Sequence, residues 1–173
     1  QQVDVPGLYR SQVGPLIDNG VRGVYVGQNS QPIWAGAFTN MPRLFQWLPL
    51  PPDGEGPSSA SAAAQDPLLM MVHTLGYGGI GLQDAIIDHK TGTAMVVMVT
   101  IENRQSETPQ NVLSYLERIQ DTFPNAEWVQ PSTYDAFITD VMTPGWPRSD
   151  LPTFSIDVGD SWVRCSAGDP VKN

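Results

Sequence analysis

The sequence predicts an α/β fold, and three observations point to it. The apolar runs Leu68 to Val72 and Ala94 to Ile101 are continuous rather than alternating, as in strands covered on both faces. Toward the C-terminus the pattern reads strand, helix, strand, helix, which is the α/β order. Sixteen prolines and sixteen glycines imply many long connections and set aside a helical bundle. With 173 residues, one domain with a core of its own is the expectation.

Taken in order, Val3 and Val5 open the chain. Leu8, Val13, Leu16 and Ile17 then follow at helical spacing, and Gly20 stands where a left-handed cap would end the helix. Val21 to Gly27 alternates apolar residues with a β-branched bias and predicts a strand. Leu44 to Leu48 predicts a second, short one, because Pro49, Pro51 and Pro52 bar the ladder beyond it. Residues 53–65 (DGEGPSSASAAAQ) are small, polar and low in complexity, so a flexible surface insertion is expected there.

After the two apolar runs, Thr108 and Pro109 open a helix as cap and first turn. Val112, Leu113, Leu116, Ile119 and Phe123 form its apolar stripe. Ala126 to Val129 predicts a short strand, and Thr133 to Met142 a helix with Tyr134, Phe137 and Val141 on one side. No internal repeat is evident.

Composition excludes several classes of function. Nine Lys and Arg against eighteen Asp and Glu leave a net charge of -9, so nothing gathers phosphates and neither nucleic acid nor an anionic membrane is an expected partner. A single cysteine, Cys165, forms no intrachain disulfide, and no apolar run reaches the roughly 18 residues of a membrane span. There is no Gly-rich phosphate loop, Cys-x-x-Cys pair, His-x-x-x-His helix or nucleophile elbow, which disfavours hydride transfer, kinase chemistry and serine catalysis. Gln1 without an initiator methionine and the polar stop after Asp169 lead us to expect an internal fragment of a longer protein.

In parallel α/β architectures functional groups gather at the carboxyl ends of strands. The polar residues directly following apolar runs are Asp4, His73, and Glu102 with Asn103. Asp4 precedes Val5-Pro6-Gly7 and either presents a carboxylate or closes a turn. His73 leads into a Gly-rich loop bearing Tyr77, suited to closing over a ligand, or is a structural histidine. Glu102 and Asn103 offer an acid and a hydrogen-bonding amide, or simply solvate the start of a helix. Asp160 and Trp162 close a segment of acids, glycine and tryptophan that suits sugar hydroxyls and stacking, and equally a strand end with a packed indole.

These residues carry a family resemblance. Asp4-Val5-Pro6-Gly7 followed by a helix ending in Gly20 resembles the Asp-x-x-Gly-His segment of the family 38 glycoside hydrolases, the zinc-dependent α-mannosidases. Leu44-Phe45-Gln46-Trp47, His73 with Gly76-Tyr77-Gly78-Gly79, Ser132 to Phe137, Gly159-Asp160-Ser161-Trp162 and then Asp169-Pro170 and Lys172 are similar, in the same order, to a poorly characterised branch of that superfamily.

The resemblance implies a partial (β/α) barrel with long loops, residues 1–173 being one incomplete fragment of a catalytic domain. It implies a retaining hydrolase acting on a carbohydrate. Asp4 would be both zinc ligand and nucleophile, and Glu102 the acid/base. His73, Tyr77, Asn103, Asp160 and Trp162 would contact the substrate. The remaining zinc ligands would come from the rest of the parent chain, since one carboxylate does not hold zinc. Two positions depart from the family: Asn103 replaces one acid of an Asp-Asp pair, and Leu8 replaces the histidine after the first glycine. Both favour the alternative of a non-catalytic carbohydrate-binding or scaffold protein that kept the fold.

Overall fold

Five short strands from both ends of the chain assemble into one mixed sheet. The computed structural model describes residues 2–3, 8–27, 42–50, 66–73, 79–99 and 106–158. The strands are β1 (Gln2–Val3), β2 (Gly23–Gly27), β3 (Leu44–Trp47), β4 (Leu68–His73) and, late in the chain, β9 (Thr153–Phe154), in the spatial order β1-β2-β4-β3-β9. β1, β2 and β4 are parallel, β3 runs against β4, and β9 lies parallel to β3. Two ribbons stand apart from the sheet. In one, β5 (Gly79–Ile80) pairs with β8 (Met98–Val99), and in the other β6 (Ile86–Asp88) pairs with β7 (Thr93–Met95).

The continuous run Leu68 to Val72 is buried throughout as β4. Leu68, Leu69, Met70 and Met71 have no exposed surface, and burying such side chains stabilises by roughly 1.5–3 kcal/mol each. One face of the sheet carries Val24, Val26, Phe45, Trp47, Leu68, Met70 and Val72, covered by Val13, Leu16 and Ile17 of α1 (Val13–Asp18). The other carries Tyr25, Leu44, Leu69 and Met71, covered by Phe137, Ile138, Val141 and Met142 of α3 (Tyr134–Met142) and by Ile86. Helices on both faces are what a strand without alternation needs.

The helix ends follow their sequence signals. Gly20 adopts φ 78° and closes α1 in a double turn, its N–H donating to the Ile17 carbonyl at 2.9 Å and the Val21 N–H to the Leu16 carbonyl at 2.9 Å. The Thr108 hydroxyl accepts from the Asn111 N–H at 3.2 Å at the head of α2 (Pro109–Thr122), and the Thr133 hydroxyl from the Ala136 N–H at 3.2 Å at the head of α3.

Two expectations are corrected. Residues 94 onward do not extend as one central strand. The turn through His89 to Gly92, with Gly92 at φ 70°, folds Thr93–Met95 back on Ile86–Asp88, and the chain then breaks before β8. Ala94 and Met98 are exposed, so apolar continuity here reflects two half-covered ribbons. Ala126 to Val129 forms no strand. The Ala126 N–H turns back to the Phe123 carbonyl at 3.0 Å, and Pro131 follows at once, leaving no length to pair. β9 was not expected at all, being two residues behind Pro152 and held by its partner β3. The expected insertion at 53–65 lies outside the described residues.

Candidate active-site edge

The register of the parallel strands aligns their ends. Val3 pairs with Gly27, and Gly27 with His73, so β1, β2 and β4 finish in one row. β3 runs the other way and therefore starts at this edge, where the Val72 N–H donates to the Arg43 carbonyl at 2.9 Å. Arg43, immediately before β3, is thus delivered beside His73, the last residue of β4.

A polar cluster occupies that corner. Asp84, in the 3-10 turn Leu82–Asp84, forms an ion pair with Arg43, and its Oδ2 lies 4.0 Å from His73 Nε2. The Arg43 guanidinium also donates to the Gln83 carbonyl at 3.1 Å. His73 and Asp84 are 2% and 5% exposed, deep enough that their charges act through protein more than water. Gly81 lies against the imidazole so closely that a Cβ there would overlap Nε2. Its N–H is held by the Val97 carbonyl at 3.1 Å.

Tyr25 extends the cluster across the sheet. Its ring stands 6.0 Å from that of His73 and 5.0 Å from that of Tyr134. Burial pushes its phenol above the ordinary tyrosine range, with the neighbouring Tyr134 and the Asp84 carboxylate adding to the effect. It is therefore a neutral hydroxyl at any physiological pH. Burial raises Tyr134 as well. Chemically, the corner offers an imidazole oriented by a carboxylate whose charge a guanidinium balances, next to protonated phenols.

Of the site residues expected from sequence, His73 is found at this edge. Asp4, Tyr77, Glu102, Asn103, Asp160 and Trp162 lie outside the described residues. Asp4 follows Val3 directly in sequence. The reason for choosing Glu102 changes, since the segment before it is not a strand of the main sheet. Val99 instead pairs with Gly79, which brings the chain leading to Glu102 back alongside the segment that follows His73.

Leu8, where the family carries a histidine, is buried and bridged to Val158, its carbonyl accepting from the Val158 N–H at 3.0 Å. The expected zinc does not fit the described side chains. Among them no three His, Cys, Asp or Glu gather as a metal set, and the carboxylate nearest His73 is engaged by Arg43.

Sequence reasoning missed Arg43, Asp84 and Tyr25. Tyr25 had a legible signal, since it sits two residues before Gly27 in a recognised strand and so shares its face. Arg43 and Asp84 had none, because only the antiparallel register of β3 and the course of residues 79–84 bring them to His73. Comparisons with protein-family models, with curated proteins and with solved structures give no match.

Proposed function

We propose that this chain is the sugar-facing part of a retaining, zinc-dependent glycoside hydrolase of α-mannosidase type, built on part of a (β/α) barrel. One observation supports it above the others: the common row of Val3, Gly27 and His73, because Asp4 follows Val3 and a nucleophile in such folds belongs at the carboxyl edge. In this reading the Asp4 carboxylate attacks the anomeric carbon and the glycosidic C–O bond breaks. The Glu102 carboxyl gives its proton to the departing oxygen. Water then attacks the glycosyl-Asp4 ester, Glu102 takes the proton back, and the sugar leaves with its configuration retained.

His73, Asn103 and Asp160 would bind hydroxyls, while Tyr77 and Trp162 would stack on the ring. Zinc enters through Asp4 and ligands of the parent chain beyond these residues, and no step above is routed through it.

A second reading has its own observation. Leu8 is a core side chain bridged to Val158 and offers no polar group to a site, which suits a carbohydrate-binding or scaffold protein that kept the fold without turnover.

The deciding experiment is hydrolysis of an aryl α-mannoside by the zinc-loaded parent protein and its Asp4→Asn variant. The hydrolase reading expects turnover that the substitution abolishes, with weaker metal retention. Turnover untouched by the substitution overturns the role of Asp4. Sugar binding without any turnover, reduced by Trp162→Ala or Tyr77→Ala, selects the second reading.

A further inference from the structure

A different concavity lies along the amino-terminal half of β2, away from the carboxyl edge. A cleft of about 250 Å³ between the sheet and the head of α3 is lined by Tyr25, Tyr134, Met71, Ile138 and Asp135 among others. A second, of about 380 Å³, continues it past Arg22 and shares Gly23, Asp135 and Ile138 with the first. Gly23 leaves the floor low, since a Cβ there would lie 2.8 Å from Ile138 Cδ1.

Tyr25 is 2% exposed, and its hydroxyl is buried with no hydrogen-bond partner among the described residues. Leaving such a group unbonded costs about 1–3 kcal/mol, and a native protein keeps few of them without a use. The cover over this one is movable. Tyr134 is half-buried at the first position of α3, its ring tilted 32° against that of Tyr25. A turn of its side chain opens the Tyr25 hydroxyl to the cleft.

We infer that this groove is an accessory binding site for a neutral, hydroxyl-bearing ligand of about monosaccharide size, with Tyr25 Oη donating to a ligand oxygen. The charges select that class. The lining holds one carboxylate, Asp135, and one guanidinium, Arg22, so it favours neither ion, and the net charge of -9 repels anions at longer range. The ring faces of Tyr25 and Tyr134 with Met71 and Ile138 supply the apolar wall on which the C–H face of a polyol rests. The site is separate from the carboxyl edge, so the outcome of the hydrolysis assay does not bear on it.

The test titrates the protein, methyl-labelled at Met and Ile, with D-mannose, D-glucose and myo-inositol, with gluconate and choline as charged controls. Expected are saturable shifts of the Met71 and Ile138 methyls with a neutral probe. Binding should be at least about tenfold weaker in Tyr25→Phe, the loss of one ligand hydrogen bond. The ligand-free variant should melt no lower than wild type, because the hydroxyl it lacks was unbonded. Absence of shifts at these methyls with every neutral probe, equal binding by Tyr25→Phe, preference for gluconate or choline, or a lowered melting temperature of the ligand-free variant would each overturn the inference.

Discussion

Arg148 grips Asp88 through two bonds, NH1 to Oδ2 at 2.6 Å and NH2 to Oδ1 at 2.8 Å, with each side chain only 1% exposed. The pair ties the β6–β7 hairpin to the segment after α3. The same guanidinium donates to the Val141 carbonyl at 3.0 Å and reaches Asp150. Gln46 of β3 secures the Arg148 backbone, its Oε1 accepting from the Arg148 N–H and its Nε2 donating to the Arg148 carbonyl. Sheet, hairpin and C-terminal segment therefore share one buried charged joint.

Removing one partner of this joint strands the other as a buried charge. Arg148→Met is expected to cost about 3–5 kcal/mol, read as a lowered urea midpoint. The double variant Arg148→Met with Asp88→Leu should recover a large part of that loss. A single variant as stable as wild type would show that the joint contributes nothing.

Acid should loosen the same joint. Burial by itself raises the Asp88 carboxyl, but the bonds it accepts from Arg148, from the Thr91 hydroxyl and from the Lys90 N–H more than offset this, and the net direction is down. A carboxyl held below its unfolded value, about 3.9 for Asp, contributes stability that is present above that value and lost as pH falls through the lower folded one. Arg148 is raised by its bonds to Asp88 and Asp150 and stays charged throughout. Unfolding followed from pH 7 to pH 2 should show a loss of stability beginning near pH 4, and Asp88→Asn, weaker overall, should lose this part of the acid dependence.

Gly81 is the closest neighbour of His73 Nε2. Gly81→Ala forces the imidazole or the segment at 79–84 to move, an overpacking cost of about 1–3 kcal/mol. Thermal unfolding gives the magnitude, and a shifted His73 ring resonance with other histidine signals in place localises the effect. An unchanged resonance would contradict the close approach.

The cap of α3 is open to a simpler check. Thr133→Ala removes the hydroxyl that accepts from the Ala136 N–H and should destabilise by about 1 kcal/mol, while Thr133→Ser keeps the acceptor and most of the stability. Chemical denaturation of the two variants side by side distinguishes a cap from a residue that merely lies at the surface.

The sequence by itself determined the elements whose signals are local. Gly20 after a 3.6-residue stripe, Thr108 before Pro109, Thr133 before an apolar face and the unbroken run Leu68 to Val72 each depend on a few neighbouring residues, and the helices and strands stand there. His73 at a strand end was legible for the same reason. Tertiary structure alone decided what covers what. Continuity of apolar residues at 94–99 looks the same in a central strand as in two half-covered ribbons, and only the Gly92 turn and the pairing with Ile86–Asp88 select the ribbons. The two residues of β9 carry no pattern and exist because Gln46 and Trp47 offer them a ladder. Arg43 and Asp84 stand forty and more residues apart and meet at His73 because β3 runs antiparallel and so begins where β4 ends. A register between strands is a sum of many weak contacts across the whole sheet, and no single stretch of sequence contains it.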